Sequence, residues 1–406
     1  MAATSANDSS HARDQNGGQV PLWRQLGPTS FLVLLFLVNF LARIILSPLL
    51  PTIEKELRIS HSQAGFLFFL ISAGYLIGLL GSGFIVSRCT HRRAIIISAA
   101  GVGAALIGVA LAGSFWTLGA GLVALGLAAG LYLPSAVATI TSQTDQRHWG
   151  KAIAVHELAP NLAFFLGPFV AELFLRWSTW RMALGFLGAL SLVLCLGYRR
   201  GGRGGDFTGA SPASSAFRTL VGSAALWAMI AIFGLGVSAT IGVYAMLPLY
   251  LINERHMDQS WVNTLIALSR SYGPILGLTG GWVSDRLGPK QTMVASLLFT
   301  GLVTLLLGVV AGRWLDGAVF FQPLLAVWFF PAAFAALAVI TPTSARHLAV
   351  AVAVPFGSMI GGGAIPTLIG MAGDAGSFGL GFVLSGALII GGGILALLLK
   401  LPETNS

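Results

Sequence analysis

The sequence predicts an all-α integral membrane protein with twelve transmembrane helices in two related bundles of six. Three observations predict it: a composition too apolar for water, a series of apolar segments of spanning length, and a charged loop motif that occurs twice. Of 406 residues, 55% are hydrophobic and 9% charged, whereas soluble domains carry roughly 25% charged residues. A soluble fold of this length has too much surface to keep wet with so few polar side chains. A helix crossing a bilayer needs about 20 apolar residues. Apolar segments of that length run over 29–51, 63–86, 94–113, 117–139, 151–174, 179–198, 224–248, 261–284, 291–311, 318–341, 348–371 and 376–399; they are numbered here as spans one to twelve.

The longest polar interruption, Tyr198 to Arg218, lies between spans six and seven and has the Gly, Ser, Pro and Arg content of a flexible linker. The expected organisation is a disordered polar tail over 1–28, a first bundle over 29–198, a linker over 199–220, a second bundle over 221–400 and a tail over 401–406. Lys and Arg set the orientation. The tails and the loops on their side hold 15 of them, against 6 on the opposite side, which places both termini in the cytoplasm and the chain in a cell inner membrane. The net charge of +9 does not indicate nucleic acid, because the basic residues are scattered between apolar segments as in the loops of membrane proteins. Cys89 and Cys195 suggest no disulfide framework and no metal site. No cofactor is expected. The polar first 25 residues do not read as a signal peptide.

The loop after span two runs Gly83-Phe-Ile-Val-Ser87-Arg88-Cys-Thr90-His-Arg92-Arg93, and the loop after span eight runs Gly281-Trp-Val-Ser-Asp285-Arg286-Leu-Gly288-Pro-Lys290. They occupy the same place in each half. An Asp at a helix end can pair with the loop arginine and face the positive N-terminus of a neighbouring helix, holding one conformation and releasing in another. Gly83, Arg88 and Arg92, with Gly281, Asp285, Arg286, Gly288 and Lys290, are therefore candidate latch residues. The repeated loop resembles the signature loop of the major facilitator superfamily. In the first copy Ser87 stands where that family has Asp, and Thr90 where it has Gly, which implies a weaker latch in the first half. Leu50-Pro51, Gln63-Ala-Gly65, Gly74-Tyr75 and Leu247-Pro248 extend the resemblance over about residues 28 to 400. It implies two six-helix halves rocking about a central site and a working monomer. The 52 glycines suit helices that pack closely.

Ionisable groups at membrane depth are the sharpest pointers to chemistry, since a central Arg costs about 2.5–3.5 kcal/mol to insert. Arg43 in span one and Arg270 in span eight both fall near the midplane, with Asn39 one turn from Arg43. Two guanidinium groups in one cavity would form a forked site for carboxylate or phosphate geometry. The alternative for each is a structural Arg bonded to backbone carbonyls. The resemblance adds that anion:cation symporters carry an Arg in the first helix, and that monocarboxylate porters and oxalate/formate exchangers carry one in the eighth. The match is incomplete: Ile266 stands where monocarboxylate porters have Asp, and span eleven lacks the Lys of the oxalate exchangers. Tyr75, Tyr132, Asn161, Tyr244 and Tyr272 are further candidate cavity liners by depth. Glu157 is the one acid well inside a span; burial would raise its pKa, making it the candidate proton carrier with His156 beside it. An ion pair with Arg88 or Arg147 is the structural alternative. Pro134, Pro160, Pro355 and Pro366 are expected to bend the helices that gate the path.

The expected function is transport of a small organic anion, such as a monocarboxylate, coupled to protons and working by alternating access. The alternative is proton-driven efflux of drug-like or amphipathic compounds, for which the apolar helices and Gly167-Pro168 speak. An enzyme is not expected. No metal cluster, nucleophile pattern or phosphate loop stands at a membrane face, and His156-Glu157 lacks the second His of a zinc-protease helix.

Overall fold

A computed structural model describes residues 22–209, 222–341 and 346–399, with side chains from 29 and 349 onward in the first and last segments. Residues 22–28 of the expected disordered tail are helical, continuous with span one in the helix Leu22–Ile44; the rest of that tail, the last tail and the linker beyond Gly209 lie outside the described residues. Among those described, eleven helices are long and apolar enough to cross a membrane: Thr29–Leu57, His61–Val86, His91–Ala110, Phe115–Gln143, Gln146–Trp177, Trp180–Gly201, Ala224–Asn253, Pro289–Val309, Arg313–Ile340, Ala349–Asp374 and Phe378–Leu398. These are spans one to seven and nine to twelve. Span eight is a pair of shorter helices, Gln259–Arg270 and Gly273–Leu287, a break that the apolar pattern alone does not show.

Proline places the breaks. It has no N–H to donate and its ring clashes with the carbonyl four residues earlier. Helices stop at Ile44, Gly130, His156 and Arg270, four residues before Pro48, Pro134, Pro160 and Pro274. Pro366 follows a π-turn over Ile360–Ala364, and span seven carries a second π-turn over Ser238–Gly242. Pro355, in contrast, sits inside the unbroken helix Arg346–Met359. Spans two, three, six, nine and twelve have no break.

The packing repeats between the halves. Span one packs on five as seven does on eleven, and three packs on six as nine does on twelve. Across the halves, two packs on eleven, five on eight and one on seven. The exposed side chains are apolar along the outer spans, among them Ile97, Phe186, Leu196, Leu302, Leu384 and Leu388, as lipid contact requires. Trp116, Trp177 and Trp314 stand exposed at the end away from the linker, the level at which indole rings sit in a membrane interface.

That far end is clamped between the halves. Asp374, at the end of span eleven, accepts from the backbone N–H groups of His61 (2.8 Å) and Ser62 (3.0 Å) at the start of span two. Glu172 of span five accepts from Ser260 (2.5 Å) and Asn263 (2.9 Å) of span eight. Glu54 accepts from Asn253 (3.0 Å) and contacts His61 Nδ1 (2.8 Å). Gly65 and Gly370 allow the approach: a Cβ on either would lie 2.3 Å from the Pro366 carbonyl oxygen and 2.2 Å from that of His61, respectively. Nearer the middle, Ser47 donates to the Tyr244 carbonyl (2.7 Å).

Candidate functional site

The breaks in spans one, five and eight bring the deep ionisable residues to places where the helix is interrupted. Arg43 precedes the break in span one, Arg270 ends the first half of span eight, and His156 with Glu157 flanks the break in span five. Discontinuous helices near the midplane are a recurring way to expose backbone dipoles to a solute.

Arg43 lines a small cavity with Phe40, Phe68, Ser72, Tyr75 and Ser358, drawn from spans one, two and eleven. Its guanidinium lies over the rings of Tyr75 (4.4 Å) and Phe40 (4.7 Å). The cavity is about 30 Å³, room for about two water molecules. Arg270 is buried, its guanidinium over Phe164 (4.9 Å) and Tyr244 (5.3 Å). The Nε of each arginine and the Tyr244 hydroxyl have no hydrogen-bond partner. Neither guanidinium pairs with a carboxylate among the described residues. Arg270 is not among the residues lining the cavity at Arg43. Phe40, under Arg43, meets Phe164, under Arg270, edge-on at 5.3 Å, so an aromatic pair separates them in this conformation.

The remaining candidates divide. Tyr75 and Tyr244 sit against the arginines. Asn39 is buried and donates to the Ala129 carbonyl (3.3 Å), tying span one to span four. Tyr272 donates to the Phe320 carbonyl (2.6 Å), holding the break in span eight to span ten. Asn161 donates to the Glu157 carbonyl (3.2 Å) and abuts Gly273 and Gly277 of span eight.

His156 is fully buried and lies flat on Phe36 (4.4 Å, 6°). Its Nε2 is 3.2 Å from the Tyr132 hydroxyl, and Nδ1 is 3.4 Å from Glu157. The Glu157 side chain is 50% exposed. The burial expected of Glu157 falls instead on the adjacent His156, the buried member of the pair. Tyr132 donates its one proton to the Leu32 carbonyl (2.5 Å). The Nε2 contact therefore requires a proton on that nitrogen, which leaves Nδ1 facing Glu157. The arginine partners considered for Glu157 are elsewhere, Arg147 lying 3.8 Å from Asp145.

The two latch loops differ. Asp285 is exposed and makes no ion pair among the described residues, Arg286 lies over Trp282 (4.5 Å), and a Cβ on Gly281 would meet open space. Gly288 has φ +87°, which only glycine adopts without strain. In the first copy Gly83 is half-buried and Arg88 exposed, while Arg92 reaches Asp206 (3.5 Å) and the Arg199 carbonyl (3.2 Å). Residues 202–209, expected as flexible linker, fold back on this loop: Phe207 and Gly205 carbonyls accept from His91 and Arg92, and Gly209 donates to Val86. The carboxylate that residue 87 lacks comes from the linker.

The clamp residues Glu54, His61, Glu172 and Asp374 were not singled out by the sequence, because an acid at a span end reads as merely interfacial. Their signal is a carboxylate at one span end matched with a helix start in the other half.

The family profile for the Major Facilitator Superfamily matches residues 32–274. The chain is similar to a probable sulfoacetate transporter of Cupriavidus necator, 24% identical over 73% of this chain and 74% of that one. It is also similar to an uncharacterized MFS-type transporter of Bacillus subtilis, 24% identical over 63% and 66%. In fold it is similar to a bacterial homolog of the human lysosomal transporter Spinster, inward-facing and unoccupied (TM-score 0.74, 14% identity, 94% and 96% covered). A peptide transporter POT in complex with sulfate has TM-score 0.72 at 14% identity, with 95% of each chain covered.

Proposed function

This chain belongs to the major facilitator superfamily and is a multi-pass membrane transporter rather than an enzyme, and on that premise we propose that it carries a small organic anion, a carboxylate or sulfonate, by alternating access coupled to protons. The observation that supports this reading is the pair of deep guanidinium groups with no carboxylate partner among the described residues. An unpaired charge in a low-dielectric interior is costly, and an anion supplied by the solute would offset that cost in every transport cycle. The aromatic faces beneath both arginines hold the forks in place while leaving their N–H groups for oxygen acceptors. The sulfoacetate named for the Cupriavidus relative carries a carboxylate and a sulfonate, a match in number to the two forks.

In this reading the described state is closed at the far end, which the Lys and Arg distribution assigns to the outside. The Phe40–Phe164 contact keeps the arginines apart, and binding one anion between them requires those rings to move. Tyr132, His156 and Glu157 form the proton path, with His156 the buried carrier and Glu157 its exposed exchange point. Efflux of amphipathic compounds is favoured by the apolar helices, Gly167-Pro168 and the aromatic cavity lining, but a cation exporter would want a buried carboxylate where these arginines stand.

The test is uptake of labelled sulfoacetate and simple carboxylates into proteoliposomes under an imposed proton gradient. Gradient-driven uptake lost in Arg270→Gln is expected. Absence of uptake of all such anions by folded, inserted protein, with gradient-driven movement of a cationic dye instead, overturns the reading in favour of efflux.

A further inference from the structure

Where spans three and six meet at the linker end, the surface holds a pocket of about 420 Å³ lined by Thr90, Arg92, Arg93, Ile96, Arg199 and Asp206. It shares no lining residue with the cavity at Arg43. Its size falls within the roughly 300–1,000 Å³ of ordinary ligand sites. Three guanidinium groups against one carboxylate leave the pocket strongly positive. Asp206 engages only Arg92, at 3.5 Å, and is itself 64% exposed. Arg93 and Arg199 are exposed and form no ion pair among the described residues.

The pocket is a built shape. Thr90 caps span three by accepting from the Arg93 N–H (3.3 Å), which fixes the direction in which Arg92 and Arg93 leave the helix. Arg92 reaches across to the Arg199 carbonyl (3.2 Å), joining the start of span three to the end of span six. The returning linker closes the third side through its backbone bonds to His91 and Arg92. Forked guanidinium groups around a concavity suit the oxygens of a phosphate, and the positive start of span three adds to the same field.

The surroundings select the source of that phosphate. Directly along the two helices from the pocket, Ile97, Val193 and Leu196 are 48%, 62% and 49% exposed. This apolar stripe faces lipid on two outer, unbroken spans. A headgroup in the pocket would place its acyl chains along the stripe, whereas a free phosphate would leave the stripe unused. We propose that this pocket binds the phosphate headgroup of an anionic phospholipid from the leaflet on the linker side. Basic pockets between helices on the cytoplasmic face are suited to this role. The second half lacks the equivalent arginine pair: its matching loop presents Lys290 with Gln291. The site is therefore a property of the first half, and bound lipid would brace the loop that lacks its own acid.

The experiment is native mass spectrometry of the full chain in detergent, titrated with phosphatidylglycerol, with phosphatidylcholine and inorganic phosphate as separate arms. One phosphatidylglycerol per chain is expected to bind more tightly than the rest. Arg93→Gln with Arg199→Gln should weaken it on the order of 20-fold, and Lys290→Gln should leave it unchanged. Asp206→Asn, which removes the competing acid, should strengthen it, so that a folding defect cannot imitate both results. Equal binding by the double variant, equal retention of phosphatidylcholine, or saturation by inorganic phosphate with no further effect of lipid would each overturn the proposal. So would weaker lipid binding in Asp206→Asn.

Discussion

The first half meets its linker-side loop with an acid borrowed from the linker, whereas the second half encodes its own and leaves it unpaired among the described residues. Arg92 is held by Asp206 and by the Arg199 carbonyl, so the loop after span two is engaged in the described state. Asp285 stands exposed beside an equally exposed Arg286, so the loop after span eight is free to engage in another. The same contrast holds at the centre. Arg43 lines a cavity and is partly buried, while Arg270 is buried at a proline break against Phe164 and Tyr244. The repeat thus conveys where chemistry belongs, and each half supplies it by different means.

The largest effect is expected at the arginines. Hydrogen bonds to charged groups contribute roughly 1.5–3 kcal/mol, so Arg270→Gln should lower anion uptake by about 10- to 100-fold. Arg43→Gln, at the more open site, should sit near the lower end of that range. An equal loss in both variants would show that the asymmetry between the sites is structural and carries no functional weight.

The clamp comes next. Asp374→Asn removes a charge facing two N–H groups at the start of span two, an interaction of up to about 2 kcal/mol in partly buried settings. The population open at the far end should rise by up to about 30-fold, read from distances between spin labels placed across that end. Unchanged distances would mean that the backbone approach at Gly65 and Gly370 alone keeps it closed.

Pro274→Ala tests the break itself. It restores an N–H for the Arg270 carbonyl, so amides around 271–275 should exchange more slowly while uptake falls, because a straight span eight reorients Arg270. Faster or unaltered exchange would show that Tyr272, bonded to span ten, holds the break without the proline.

The smallest effect belongs to the loops. The Arg92–Asp206 pair is exposed, so Asp206→Asn should cost at most about 1 kcal/mol of stability. Asp285→Asn should cost nothing in the state described, and a thermal melt of each compares them. A larger loss from Asp285→Asn would mean that the second loop is engaged in solution.

Much of the architecture was legible because partitioning into lipid depends on composition within a short window. The apolar runs located every span within a few residues, and the twinned loop located the halves. Of the prolines singled out, Pro134 and Pro160 do lie four residues beyond helix breaks, and Pro48 and Pro274 obey the same rule without having been named. Pro355 does not break its helix. The candidate site was less legible. Glu157 was expected in a buried setting and stands half exposed, with His156 buried beside it, because adjacent residues at a helix break take different surroundings.

What the sequence determined by itself is therefore the solvent and the position of the apolar crossings, both of which follow from local hydrophobicity and from proline's missing N–H. Only the tertiary structure decided which side chains meet. Helices that are apolar on every face do not announce their rotation, since lipid accepts any of those faces equally. The separation of Arg43 from Arg270 by Phe40 and Phe164, the clamp of Asp374 on span two and the return of Asp206 to Arg92 each join residues more than a hundred positions apart. Packing between helices sets such contacts, and no local pattern encodes them.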